Sequence, residues 1–399
     1  LCPSCAEHNF EKRFSEADMK GRVCIVTGAR VKIGYCIALK LLRMSATVIA
    51  TTRFPHDAAS RFALEPDFPS FRGRLTIYGL DFRDIPMLHH FCRDVRTTFG
   101  RLDVIINNAA QTVRKPPAFY EHLMQKERND VPQQTLDVVD VVDVYRARGG
   151  GYLMGHGAAR PSHEASSDDP KLHDITTGAP LPVAASQATA HLSDINTSAL
   201  LSQIPLLASD AVAVEQRAFP PGLYDRDDQQ IDLRTENSWT QEIGQISTVE
   251  MMECHVINAF APWVLVSELK ALMEETRNPD GSEGSWDKYI VNVSAMEGQF
   301  YRSKTIFHPH TNMAKAALNM MTRTAAAGLA ANNIYMTCSD TGWITDENPV
   351  DQWEKRESQP PPLDEWDAAM RVLDPVLVGV RGEENLWGVF LKNYRPTRW

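Results

Sequence analysis

The run Thr27-Gly28-Ala29-Arg30-Val31-Lys32-Ile33-Gly34 has the composition of an anion cradle. It follows a short apolar stretch, and Gly34 opens a segment with helical spacing. Backbone N–H groups and the positive end of a helix therefore converge on one point, which suits a pyrophosphate. Arg30 and Lys32 can add charge there; the plainer reading makes both solvated loop cations. Thr52 and Arg53 follow a second apolar stretch. A hydroxyl beside a guanidinium can hold a phosphate by charge-assisted hydrogen bonds, and no carboxylate stands nearby to repel one. The alternative is a surface arginine after a strand. Late in the chain, Tyr301, His308 and His310 have the chemistry to move a proton, although each is otherwise an ordinary loop residue.

These side chains need elements to position them. Residues 22–27 are β-branched and apolar, too short for a helix and ended by Gly28, so they read as a buried parallel strand. Ile33, Ile37 and Leu41 recur at helical spacing and mark a face packed on a sheet. Strands are expected at 47–51, 75–80 and 102–106, with a helix over 85–99. Later strands are expected at 289–293, 334–338 and 387–391, and a helix at 363–380. The alternation predicts an α/β, Rossmann-type doubly wound parallel sheet.

The loop at 27–34 resembles the Thr-Gly-x-x-x-Gly-x-Gly loop of short-chain dehydrogenases/reductases, with Lys32 in place of the middle glycine. Asp81-Phe82 is similar to the family's adenine-holding pair. Asn107-Asn108-Ala109-Ala110 is similar to its Asn-Asn-Ala-Gly turn, with Ala110 replacing glycine. The resemblance covers about residues 20–112 and 248–395 and implies about seven strands in one sheet. It also implies a cofactor site formed by Gly28, Arg30, Lys32, Ile33, Gly34, Thr52, Arg53, Asp81, Phe82, Asn108, Ala109 and Ala110. NAD-preferring members carry an acidic residue where Thr51-Thr52-Arg53 stands, so NADP is expected over NAD.

The same resemblance places a catalytic serine at Ser294, the lysine of the family's Tyr-x-x-x-Lys pair at Lys315 and the proton-relay asparagine at Asn258. Lys315 would also hold the nicotinamide ribose. Position 311, where the tyrosine belongs, is threonine, whose hydroxyl is too weak an acid to replace a phenol of pKa about 10. Ser294 and Thr311 are 17 positions apart, so the enlarged loop with Tyr301, Lys304, His308 and His310 offers substitute proton donors. Asp340-Thr341-Gly342-Trp343-Ile344-Thr345 resembles the family's segment bordering nicotinamide, through Gly342 and Thr345.

Asn258 lies 150 positions after Asn108, far beyond the family's spacing. An insertion of roughly 125 residues, larger than ordinary loop variation, is implied after the fourth strand, over 113–247. Residues 1–20 read as a lead-in and 21–399 as one domain enlarged by the insertion. Residues 148–180 read as irregular, 198–214 as a helix interrupted near Pro205, and 219–239 as ordered loop. Two roles stand for the insertion: a lid over the substrate edge, or a surface appendage or subunit contact.

The resulting expectation is an NADP-dependent oxidoreductase acting on a carbonyl, alcohol or activated double bond of a small molecule. Its rival is a catalytically inactive NADP-binding sensor or scaffold. The net charge of −10 disfavours nucleic acid as a partner. No apolar stretch reads as a bilayer span and residues 1–20 lack a signal-peptide core, so a cytoplasmic protein away from membranes is expected; a homo-oligomer is expected besides. The chain begins at Leu1, read as processing or a missing upstream part. Cys24, Cys36, Cys92, Cys254 and Cys338 lie in apolar stretches and should pack as small hydrophobes. Cys2-Pro-Ser-Cys5 is either half of a zinc site completed upstream or a free thiol pair, and no metal site is expected from the chain alone.

Overall fold

A computed structural model describes residues 1–147, 197–211, 215–278, 286–345, 347–349 and 361–399. The irregular stretch expected at 148–180 lies outside the described residues.

The core begins with β1 (Val23–Thr27), which is buried on both faces. Cys24 and Val26 face one apolar layer, while Val23 and Ile25 face the other. Such two-sided burial demands the unbroken apolar run seen in the sequence. Helix α1 (Pro3–Lys12) precedes it, and α2 (Lys32–Arg43), β2 (Thr47–Thr52), α3 (Pro55–Phe62) and β3 (Leu75–Gly79) follow. Next come α4 (Ile85–Phe99), β4 (Val104–Asn107), α5 (Pro117–Arg128) and β5 (Val139–Asp143). The chain continues through α6 (Thr248–Glu275), β6 (Lys288–Ser294), α7 (Pro309–Ala330), β7 (Ile334–Asp340), α8 (Glu365–Val380), β8 (Phe390–Lys392) and β9 (Arg395–Thr397).

Among the described residues the strands form one nine-stranded sheet in the order β5-β3-β2-β1-β4-β6-β7-β8-β9. All neighbours are parallel except β8 and β9. Nine strands replace the expected seven: β5 extends one edge beside β3, and β9 closes the other as a short antiparallel return. Pro396 within β9 cannot donate to a ladder, which fits an edge position. Helices α2 and α8 cover one face of the sheet, and α4, α6 and α7 the other. Strand order reverses at β1, between β2 and β4, and a crevice opens at the carboxyl ends there.

The insertion therefore starts as part of the domain. Helix α5 packs on α3, and β5 on β3. Phe119, Tyr120 and Leu123 form a third core with Phe54 and with Phe219 from farther along the insertion. The interrupted helix expected at 198–214 is a short helix, Thr197–Leu200, with 3-10 turns Leu201–Gln203 and Ala208–Ala211 on either side of Pro205. The segment 219–239 is ordered loop with one bridge, Tyr224 to Gln230.

Residues 1–20 are more than a lead-in. Lys12 pairs with Asp374 at 2.5 Å, and Arg13 with Asp364 and Asp367 at 2.8 Å each, docking α1 on α8. Helix α6 corrects a second expectation, since it is long and apolar enough to cross a membrane by length and composition. Half of that stretch is buried, and it packs on α4 and α7.

Candidate functional site

The crevice at the switch point is a cavity of about 590 Å³, within the range of small-molecule sites. Its floor is the loop between β1 and α2. Gly28 has φ +67°, a conformation in which an L side chain is strained. At Gly34 an added Cβ would lie 2.3 Å from the Gly28 carbonyl oxygen and 2.5 Å from Asn108 Nδ2. Only a glycine lets helix and loop approach this closely. The Thr27 hydroxyl accepts from the amides of Asn108 and Ala109 at 2.9 Å, while Asn108 Nδ2 donates to Thr27 O. The ends of β1 and β4 are thereby locked beside the first turn of α2.

Lys32, where the family carries glycine, keeps a glycine-like backbone with φ +55°. Its Nζ points toward Asp225 of the insertion at 3.9 Å. Arg30 is buried and paired with Asp57 at 2.7 Å, and it also donates to Gln229. Burial pulls the Arg30 pKa down against the pull of Asp57. Burial would raise the Asp57 pKa, but Arg30, Lys126 and Arg61 override it and hold the carboxyl below the usual range. Arg30 is thus tied into the fold, which corrects its reading as a solvated loop cation, and it still lines the cavity.

Arg53 stands on the cavity wall after β2. One Nη2 donates to the Tyr120 hydroxyl at 2.9 Å, and the guanidinium lies 4.5 Å from the centre of that ring. Asp81 is buried against Arg83 at 2.7 Å. Burial opposes ionisation of Asp81, and Arg83 more than compensates, lowering its pKa. Gly28, Arg30, Lys32, Ile33, Gly34, Thr52, Arg53, Asp81, Phe82, Asn108, Ala109, Ala110 and Thr345 all line the cavity.

Gly342 and Lys315 do not. Gly342 packs on Arg371 and Leu363 instead. Lys315 is buried and donates to the Val293 carbonyl at 2.9 Å, with burial lowering its pKa. Ser294 is also buried, and its hydroxyl donates to Asn319 Oδ1 at 2.6 Å. Asn258 lies in a π-helical turn, Val256–Phe260, and its side chain grips the backbone of Gln111: Oδ1 accepts from the amide and Nδ2 donates to the carbonyl, both at 2.8 Å.

The backbone of Gln111 and Thr112 is thus tied to Asn258 and to the start of α7. The Thr112 carbonyl meets His310 Nε2 at 3.3 Å and the Thr311 hydroxyl at 3.4 Å. Burial pushes the His310 pKa down. Of the substitute donors, Tyr301 is exposed and turned toward Thr397 of β9, 3.4 Å away, and Lys304 donates to the carbonyls of Met296 and Glu297. His308 is stacked on Trp239 at 4.0 Å, with Nδ1 on the Trp239 carbonyl at 2.9 Å. None of the expected catalytic residues lines the cavity.

Several wall residues were not expected from the sequence. Tyr120 and Lys115 come from the start of the insertion, and Asp225, Gln229, Asp232 and Arg234 from its far end. Lys115 and Arg234 each pair with Asp232 at 2.7 Å. The aromatic pair Phe119-Tyr120 after Pro116-Pro117 was the available signal for the first group. The second group has none, since its place depends on the chain returning across the cleft. The insertion thus contributes wall to this cavity.

A doubly wound sheet with a glycine-lined helix start at its switch point defines a Rossmann-type nucleotide-binding protein. Residues 22–132 match the model of the short chain dehydrogenase family. An uncharacterised protein of Acanthamoeba polyphaga mimivirus, R665, is 26% identical over 393 residues, covering 94% of this chain and 67% of its own length. A 2-dehydro-3-deoxy-D-gluconate 5-dehydrogenase of Pseudoalteromonas atlantica is 30% identical over 100 residues, covering 25% of this chain and 39% of that protein. A dehydrogenase/reductase SDR family member 1 of Mus musculus is 40% identical over 94 residues, covering 23% of this chain and 29% of that protein. The chain thus spans well under half the length of these two dehydrogenases.

Among solved structures, the carbonyl reductase Sniffer of D. melanogaster is 13% identical with a TM-score of 0.52, covering 95% of this chain and 100% of that one. The Pseudomonas aeruginosa RhlG/NADP active-site complex is 11% identical with a TM-score of 0.51, covering 94% and 95%. Both share the fold. Residues 22–132, the first part of the sheet with its helix start, are thus similar to the short chain dehydrogenase family, and the whole chain shares the fold of these structures.

Proposed function

We propose that the protein is an NADP(H)-dependent oxidoreductase acting on a carbonyl, alcohol or activated double bond of a small molecule. The observation that carries the reading is Arg53, half-buried on the cavity wall with no carboxylate at the end of β2. A guanidinium there complements a ribose 2′-phosphate, and the first turn of α2 complements the pyrophosphate. The cradle fits the cofactor: at Gly34 a Cβ would fill the space between loop and helix. When bound, the nicotinamide supplies or accepts the hydride.

The chain's own residues then divide in two. Gly28, Gly34, Asn108 and Arg53 bind and orient. For His310 or Thr311 to move a proton, the Thr112 carbonyl that meets both would have to shift. A second reading, a nucleotide-binding sensor without turnover, is favoured by one observation: Ser294 and Lys315 both spend their hydrogen bonds inside the fold.

Oxidation of NADPH against a panel of aldehydes, ketones and enones tests the choice. The oxidoreductase reading expects turnover with at least one class, reduced about 100-fold or more by His310→Ala, as loss of a general acid does. Tight NADPH binding with no turnover across the panel supports the sensor.

A further inference from the structure

The seven cysteines fall into two groups. Cys24, Cys36, Cys92, Cys254 and Cys338 are buried, whereas Cys2 is exposed and Cys5 half-buried. The exposed pair sits on a docked helix. Cys2 is the N-cap of α1, with extended backbone, and Pro3 starts the helix. Cys5 follows within the first turn, and its carbonyl accepts from Asn9 Nδ2 at 2.7 Å. Asn9 is buried and accepts in turn from Arg371 of α8 at 3.1 Å. The turn that carries both thiols is therefore fixed to the body of the domain.

Beside Cys5 lies a hollow of about 340 Å³, bounded by Ser4, His8, Lys392, Asn393 and Arg395. Lys392 is paired with Asp340 at 2.8 Å, while Arg395 is exposed on β9. Arg395 thus gives the hollow a positive charge, and the hollow borders the Cys5 thiol.

We propose that Cys2 and Cys5 form a redox-active dithiol that exchanges with small anionic disulfides of the glutathione type seated in this hollow. The arrangement gives the two thiols different work. Cys2 is the accessible one, and its sulfur meets the Ser4 hydroxyl at 3.4 Å. That hydroxyl, followed by the amide and thiol of Cys5, lowers the Cys2 pKa to about 7. The same contact with Cys2 raises the pKa of Cys5. A thiolate that forms near neutral pH attacks, and its shielded neighbour resolves.

The exchange balances as follows. The Cys2 thiolate attacks one sulfur of the disulfide, the S–S bond breaks, and one thiolate leaves and takes a proton from water. Cys5 then gives its proton to solvent and attacks the Cys2 sulfur, expelling the second thiolate. Two electrons pass from the protein dithiol to the small disulfide, and a Cys2–Cys5 bond remains.

The test uses the full chain, glutathione disulfide as oxidant, alkylation of the remaining thiols, and mass spectrometry of the peptide ending at Lys12. The expected product is a peptide lacking two hydrogens, with the five buried thiols unchanged. Cys5→Ser should stop at a glutathione adduct on Cys2, and Cys2→Ser should react at least about tenfold more slowly. Wild-type Cys2 should also take iodoacetamide at pH 7 about threefold faster than a thiol of ordinary pKa, about 8.5, the gain in thiolate outweighing the loss in nucleophilicity. The proposal is overturned if Cys2 alkylates no faster than an ordinary thiol, or if the adduct persists in wild type without an internal bond. It is equally overturned if the pair is protected by a zinc ion that a chelator releases in equimolar amount.

Discussion

Arg53 donates a hydrogen bond of 2.9 Å to the Tyr120 hydroxyl while its guanidinium lies over the same ring. One residue directly follows β2 and the other comes from the insertion, so the insertion positions the cation assigned to the 2′-phosphate. Tyr120→Phe keeps the ring and removes the acceptor. A lost hydrogen bond of this kind is worth about 0.5–1.5 kcal/mol, so NADP(H) affinity should fall about two- to tenfold. NAD(H) affinity should stay level, and parallel fluorescence titrations would check both.

Asp225 acts in the opposite sense. Its carboxylate is 3.9 Å from Lys32 Nζ at the start of α2, where the pyrophosphate is expected. Asp225→Asn frees the lysine and removes a negative charge from the phosphate site. The pair is partly exposed, so the gain is limited to about 0.2–1 kcal/mol, or up to about fivefold tighter NADP(H) binding. Weaker binding in this variant would mean that the carboxylate organises the loop instead.

Gly34→Ala should be severe. The new Cβ would meet the Gly28 carbonyl at 2.3 Å, a backbone atom that cannot swing away. Overpacking of this sort costs about 1–3 kcal/mol. Denaturant titration should show the loss, and cofactor binding should fail even where the variant is folded.

Glu127 gives the fold a pH dependence. It is fully buried and accepts from the amides of Asp57 at 2.9 Å and His56 at 3.2 Å. Burial, with Asp57 nearby, raises its pKa to about 7 against the pull of those amides and Arg30. A raised carboxyl pKa means the protonated form is favoured in the folded state. Its contribution is full below about pH 4.5 and is lost as pH rises through about 7, by about 3 kcal/mol at most. Glu127→Gln cannot titrate, so the wild type should lose stability relative to the variant between pH 5 and 8. A constant difference in urea unfolding across that range would contradict the assignment.

The sequence carried most of the nucleotide-binding half. β1, α2, β2 and α4 were legible because their apolar periods match burial on a parallel sheet, and Gly28 and Gly34 because only glycine fits there. β5 was not separated from the insertion, although Val138, Val139, Val141 and Val142 carry a strand signal. Its pairing with β3 is a long-range event that no local pattern states. The grip of Asn258 on Gln111 was hidden for the same reason, since those residues are far apart in sequence. Asn319, which takes the Ser294 hydroxyl, could have been noticed, since it stands one helical turn after Lys315.

Calorimetric titration of the wild type and of Arg53→Ala with NADPH and with NADH tests the central claim most directly. The Arg53 guanidinium, on the cavity wall with no carboxylate at the end of β2, should make NADPH bind about tenfold or more tightly than NADH. Arg53→Ala should erase that advantage while leaving NADH affinity within about threefold. Equal affinities for the two coenzymes in the wild type, or a preference for NADPH that survives Arg53→Ala, would contradict the account.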